Sequence, residues 1–185
     1  MKIFFDTEFT GLHKNTSLIS IGLIDENGRS FYAEFTDYDK SQVNEWIENN
    51  VIKNLTHPTL SVSGNDWTIT GVKPMIRTAL NQWLEYYKDE QITLVSDVCH
   101  YDMVLFIDIF GGAFDLPKNI CSTCYDINQD IAKYYNISLA KAFDINREEL
   151  AENLGFELPI DINKHNSLFD AKILQVIHNG LNKRI

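Results

Sequence analysis

The first thirty-five residues constrain the fold most. Residues 2 to 6, Lys-Ile-Phe-Phe-Asp, read as a buried strand, and Ser17 to Asp25 and Ser30 to Phe35 flank Glu26-Asn27-Gly28-Arg29. Asn-Gly between two apolar runs is a strong hairpin signal, so the chain begins by laying strands together. Helix-like and strand-like stretches then alternate, which implies an α/β architecture with a sheet covered by helices. All-α and all-β arrangements fit worse. With 185 residues, 44% of them apolar and 12% aromatic, there is material for one substantial core, and 1–185 is expected to form a single domain.

Later elements follow the same reading. Residues 41 to 50 look like a short helix with Val43, Trp46 and Ile47 on one face, and the polar stretch from Asn54 to Thr70 reads as a long loop or insertion. Val72 to Tyr87 carries apolar residues at helical spacing, with Thr70 as a cap and Pro74 in the first turn. Ile92 to Ser96 and Asn119 to Tyr125 read as strands. Tyr101 to Phe110 reads as a buried helix ended by Gly111-Gly112, and further helices are expected over Ile127 to Tyr135 and Arg147 to Leu154. The last runs from Ser167 to Leu181, after the polar approach Asn163-Lys164-His165-Asn166.

Several function classes are disfavoured. Asp6 and Glu8 interrupt what a signal peptide would need as an apolar segment, and no run approaches membrane-spanning length, so a soluble, cytoplasmic protein without a membrane partner is expected. Cys99, Cys121 and Cys124 are too few for a disulfide framework, and Cys121-Ser-Thr-Cys124 lacks the second pair a structural zinc would want. They read as strand cysteines facing a core. A net charge of −10 argues against gripping long duplexes through a basic surface. It does not exclude a nuclease, because divalent cations reverse the local potential at a carboxylate cluster.

The informative residues are acids in places where acids cost energy. Asp6 and Glu8 lie two apart at the end of an apolar strand, so period-two alternation sends both to one face, a natural foundation for a divalent metal site. An ordinary exposed strand end is the blander alternative. Asp102 begins a helix that continues Met-Val-Leu-Phe-Ile, where it is either a helix cap or a carboxylate needing a partner, and Asp97 competes with it for any metal role. His165 and Asp170 stand five apart. The helix fixes Asp170 as a ligand while the loop lets His165 approach a water that must lose a proton; a solvated capping pair is the alternative. Together, four acids and one histidine from distant segments suit phosphoryl transfer with two Mg2+ or Mn2+ ions held about 4 Å apart.

Phe5-Asp6-Thr7-Glu8-Phe9-Thr10-Gly11-Leu12, Tyr101-Asp102 before Val104-Leu105, and His165-Asn166-Ser167-Leu168-Phe169-Asp170-Ala171 resemble, in order and spacing, the three motifs of the DEDDh exonucleases of the ribonuclease T and DnaQ-like superfamily. Leu18-Ile19-Ser20-Ile21-Gly22, Trp46-Ile47 with Val51, and Asp115-Leu116-Pro117 leading to Asp126-Ile127-Asn128-Gln129 are similar to the short mycobacterial-type 3'-5' exoribonuclease branch. The resemblance implies a ribonuclease-H-like fold with a mixed five-stranded sheet and strand 1 central. It implies that Asp6, Glu8 and Asp170 bind one metal, Asp6 and Asp102 a second, and that His165 is the general base. The substrate implied is the 3' end of a single-stranded nucleic acid, RNA favoured over DNA, with release of nucleoside 5'-monophosphates; dimers are frequent among relatives. Phe9 and Leu12 are candidates to pack on the terminal base. Segments 54 to 70 and 139 to 163 match poorly, and Ser167 replaces a commoner Ala. A 3'-5' exodeoxyribonuclease and a non-catalytic nucleic-acid-binding module on this fold are the alternatives. A haloacid-dehalogenase-type phosphatase, suggested by Asp6 to Thr10, fits poorly at Glu8 and leaves the 165–170 motif unexplained.

Overall fold

In the computed structural model, which describes residues 1–157 and 164–182, β1 (Lys2–Phe9) lies inside a mixed sheet. It pairs antiparallel with β2 (Leu18–Asp25), which pairs antiparallel with β3 (Ser30–Phe35) through the Asn27-Gly28 turn, where Gly28 has φ +89°. On its other side β1 runs parallel to β6 (Ile92–Ser96), and β6 runs parallel to β7 (Ile120–Asp126). These five strands are the expected mixed sheet with β1 central.

The described sheet has two strands more. β4 (Ser61–Ser63) and β5 (Asp66–Gly71) form a hairpin, and β5 runs parallel to β3, giving the order β4-β5-β3-β2-β1-β6-β7. The stretch read as a long loop therefore extends the sheet. Its strand signal is the alternation Trp67, Ile69 in register with Phe31 and Ala33 on the core face; flanking Ser, Gly, Asn and Asp hide it. Thr70 consequently belongs to β5 and caps nothing. Helix α2 (Lys73–Leu84) starts after Val72, and the Asp37 carboxylate accepts from the Lys73 N–H at 3.0 Å in place of a local cap.

Alternation along the strands sorts side chains to two helical layers. Phe5, Leu23, Phe31 and Leu94 pack with Trp83 of α2 and with Phe106 of α3 (Cys99–Phe110). Phe4, Ile24 and Val95 face the other way, onto α4 (Ile127–Tyr135), α6 (Arg147–Asn153) and α7 (Ser167–Asn182). Fully burying one of these large side chains contributes about 1.5–3 kcal/mol. The contact between β2 and α7 is unusually close. A Cβ on Gly22 would lie 2.2 Å from the Leu168 nitrogen, and next to it the Ser20 and Ser167 hydroxyls meet at 2.9 Å, both fully buried. Ser167 thus has a partner that an alanine would leave unpaired.

Three further local readings change. The expected helix over 41–50 is a 3-10 turn at Lys40–Gln42 followed by α1 (Glu45–Asn50), capped by the Asn44 side chain; Ile47 is buried but Trp46 is largely exposed. A short helix, α5 (Leu139–Phe143), with Ser138 as its cap, occupies part of the segment that matched poorly. Cys121 is exposed on the edge strand β7 rather than facing the core; Cys124 is partly buried against it, and Cys99 opens α3. Residues 158–163, including Asn163 of the polar approach, lie outside the described residues. Among the described residues no helix is long and apolar enough to cross a membrane.

Candidate active site

Asp6 and Glu8 follow Phe4 by period two, so they leave β1 on the face that α7 covers. Helix α7 delivers Asp170 from its first turn, anchored at Gly22, and the preceding loop carries His165. That loop is held at several points. The Asn166 side chain accepts from the Phe169 N–H and donates to the Tyr32 hydroxyl, the His165 N–H donates to Asp170 Oδ2 at 3.1 Å, and Asn54 Nδ2 donates to the Lys164 carbonyl at 2.7 Å. His165 adopts a left-handed backbone, φ +62°, which a non-glycine residue holds only when its surroundings impose it.

Asp102 arrives from α3 on the opposite layer. It lies in the first turn, but it does not cap: both its oxygens accept side-chain hydroxyls, Oδ1 from Thr7 at 2.6 Å and Oδ2 from Ser96. It is completely buried. All five expected residues line one cavity of about 670 Å3. Ligand atoms of Glu8, His165 and Asp170 lie within 4.8 Å of one another, as do those of Asp6, Asp97 and Asp102. Neither an exposed strand end nor a solvated capping pair describes this arrangement.

The electrostatics are those of acids gathered away from water. Burial, reinforced by Asp102, Asp170, Glu8 and Asp97, holds Asp6 well above the usual carboxylate range. Burial with Asp170 and Asp102 pushes Glu8 up to about 9. Burial raises Asp102 to about 7 against the opposing Ser96 and Thr7 hydrogen bonds, and raises Asp170 to about 7 with help from Glu148 and Asp97. Asp6 Oδ2 is shielded from solvent and has no hydrogen-bond partner among the described residues. An orphaned buried carboxylate oxygen among hard oxygen donors fits a divalent cation. His165 is shifted the other way, lowered by burial and by Lys164; its ring stands edge-on to Trp46 at 5.1 Å, with Nδ1 3.9 Å from Glu8 Oε1.

No family model matches the chain. The chain is 30% identical over 120 residues, covering 65% of this chain and 67% of the relative, to a 3'-5' exoribonuclease of Mycobacterium tuberculosis, in each of two strains. The chain belongs to the DEDDh 3'-5' exonuclease family. Among solved structures, the nuclease domain of 3'hExo, described as a DEDDh family member bound to rAMP, superposes with a TM-score of 0.63 at 14% identity, covering 99% of this chain and 92% of that one. A full-length 3'-exonuclease superposes with a TM-score of 0.65 at 14% identity, over 99% and 81%. The fold is ribonuclease-H-like, and the chain is a metal-dependent 3'-5' exonuclease.

For a DEDDh exonuclease the cavity holds residues that sequence reasoning assigned no role: Trp46, Asn146, Arg147, Glu148 and Lys164. Trp46 was legible as an aromatic on a short helix, though with the wrong side buried. Arg147 and Glu148 come from a segment without a motif, and nothing in the sequence marks them. Phe9 and Leu12 both line the cavity, but differently: Phe9 stacks on Tyr101 with ring centroids 5.4 Å apart, whereas Leu12 is 73% exposed.

Proposed function

We propose that this exonuclease removes nucleoside 5'-monophosphates one at a time from the 3' end of single-stranded RNA. The observation that carries the reading is the convergence of Asp6, Glu8, Asp102, His165 and Asp170, from strand and helix ends far apart in sequence, on one cavity. Asp6, Glu8, Asp102 and Asp170 would hold two divalent cations, Mg2+ or Mn2+. When bound, those ions supply Lewis-acid activation of a water and compensate charge on the departing 3'-oxygen.

The chain's own residues do the rest. His165, lowered by burial, is neutral near pH 7 and accepts the proton of the attacking water. Trp46 fixes the ring's edge and the strained loop fixes its place. Leu12 offers an apolar surface to the terminal base; Phe9, backed by Tyr101, stiffens the wall behind it. A cavity of about 670 Å3 suits a terminal nucleotide rather than a duplex. RNA as the substrate is supported by the name of the mycobacterial relative, a 3'-5' exoribonuclease.

A degradation time course with matched 5'-labelled RNA and DNA strands tests this. Stepwise shortening of the labelled RNA from its 3' end, dependent on Mg2+ or Mn2+ and stopped by EDTA, is expected, with DNA degraded more slowly. Immediate release of labelled mononucleotide would refute the polarity, and faster loss of DNA would refute the sugar preference.

A further inference from the structure

We propose that Asp97 is a fifth carboxylate of the metal-binding set, put in place by Arg147, which acts as a positioning residue. The inference rests on the metal-dependent reading of the site. Asp97 follows directly on β6, and one of its oxygens lies within 4.8 Å of ligand atoms of both Asp6 and Asp102. Its Oδ2 is 2.9 Å from Arg147 Nε. Asp6, on the same cluster, presents the shielded oxygen that has no partner among the described residues.

Arg147 is held mainly by protein groups. Its Nη1 donates to the Ala142 and Ile145 carbonyls, each at 2.9 Å, and Nη2 donates to Asn128 Oδ1 at 2.6 Å. Asn128 in turn donates to the Asp97 carbonyl at 2.9 Å and to Asp126 Oδ1 at 2.8 Å. Four of the five guanidinium N–H donors are thereby engaged by protein groups. The guanidinium locks α4, the end of α5 and the start of α6 around one acid at the rim of the sheet. Asp102 uses both oxygens on hydroxyl donors, so the half of the cluster nearest α3 is short of unengaged oxygens. Asp97 supplies one, and its pairing with Arg147 offsets the added charge among Asp6, Asp102 and Asp170.

The test is Mn2+ titration of the full chain, freed of metal, with unbound ion read by electron paramagnetic resonance and no turnover required. Asp97→Asn and Arg147→Gln are each expected to weaken Mn2+ binding about tenfold, and the double variant no more than either alone. Arg147→Lys is expected to fall between. Asp6→Asn is the reference: if it abolishes binding while Asp97→Asn stays within twofold of wild type, the metal site stands and the Asp97 assignment is overturned. If neither changes binding, the metal reading itself fails. Arg147→Gln that melts lower but binds Mn2+ as wild type would reduce Arg147 to a structural tie and overturn its positioning role. Circular dichroism checks folding, and where Asp97→Asn or Arg147→Gln does not fold, Asp97→Glu and Arg147→Lys are read with the same two outcomes.

Discussion

Replacing Gly22 with alanine perturbs the site without touching a ligand. The new Cβ would stand 2.2 Å from the Leu168 nitrogen, 2.3 Å from its Cα and 2.4 Å from the Ser167 carbonyl carbon, all backbone atoms that cannot rotate away. Ordinary contact begins at 3.4 Å, so β2 and α7 must part by about 1.2 Å. Overpacking costs about 1–3 kcal/mol, and a backbone-limited contact belongs at the upper end. For a chain of this size about 3 kcal/mol lowers Tm by roughly 6–12 °C. Asp170 moves with the helix, and a displacement of about 1 Å costs about a hundredfold in rate. Differential scanning fluorimetry and 3'-end degradation measure the two effects. Gly71→Ala is the matched control, because its Cβ meets only Met75 at 3.5–3.6 Å, ordinary contact, and it should be mild in both assays. A Gly22→Ala protein within 2 °C and threefold of wild type, taken as roughly the resolution of these assays, would refute the reasoning.

Four further outcomes are expected. His165→Ala should lower turnover about 10²–10⁴-fold while Mn2+ affinity measured by titration stays near wild type; joint loss would contradict a general base. EDTA should lower Tm and Mg2+ at a hundred times its Kd should restore about 2.7 kcal/mol. The raised carboxyls of Glu8, Asp102 and Asp170 bind more protons in the metal-free fold than in the unfolded chain, so their contribution to stability is fullest below about pH 4 and is lost as pH rises through about 7 and on to about 9. A metal-free Tm that is flat or rises over that range, on account of these groups, would contradict the burial. His178 is lowered by burial and by Lys2, whose Nζ stands 2.9 Å from Nε2, so the unfolded chain takes up a proton below about pH 6.5 that the fold refuses. His178→Gln should therefore flatten the loss of stability on acidification; an unchanged difference between pH 7 and 5 would count against it.

Much of the site was legible because its residues contradict their surroundings. Acids at the end of Ile3-Phe4-Phe5 cannot be ordinary core, and the five-residue step from His165 to Asp170 places one group on a loop and one on a helix. What stayed hidden depends on partners that sequence does not pair. Asp97 and Arg147 are fifty residues apart and meet through a single 2.9 Å contact. Glu34 sits in a strand-like run as if facing solvent, yet it is buried, accepting from the Thr56 and His57 N–H groups and the Tyr32 hydroxyl. Trp46 reads with Val43 and Ile47 as one helix face, but Ile47 is buried while Trp46 is 55% exposed. Strand patterns also do not distinguish an edge from a centre, which is why Cys121 faces outward.

The grip of Asn54 on the Lys164 carbonyl ties a peripheral turn to the segment carrying the histidine. The turn thereby helps fix where the imidazole stands, together with the Asp170 oxygen that accepts the His165 N–H. Lengthening or shortening residues 52–57 would therefore shift the imidazole while leaving Asp6 and Asp102 where β1 and α3 hold them.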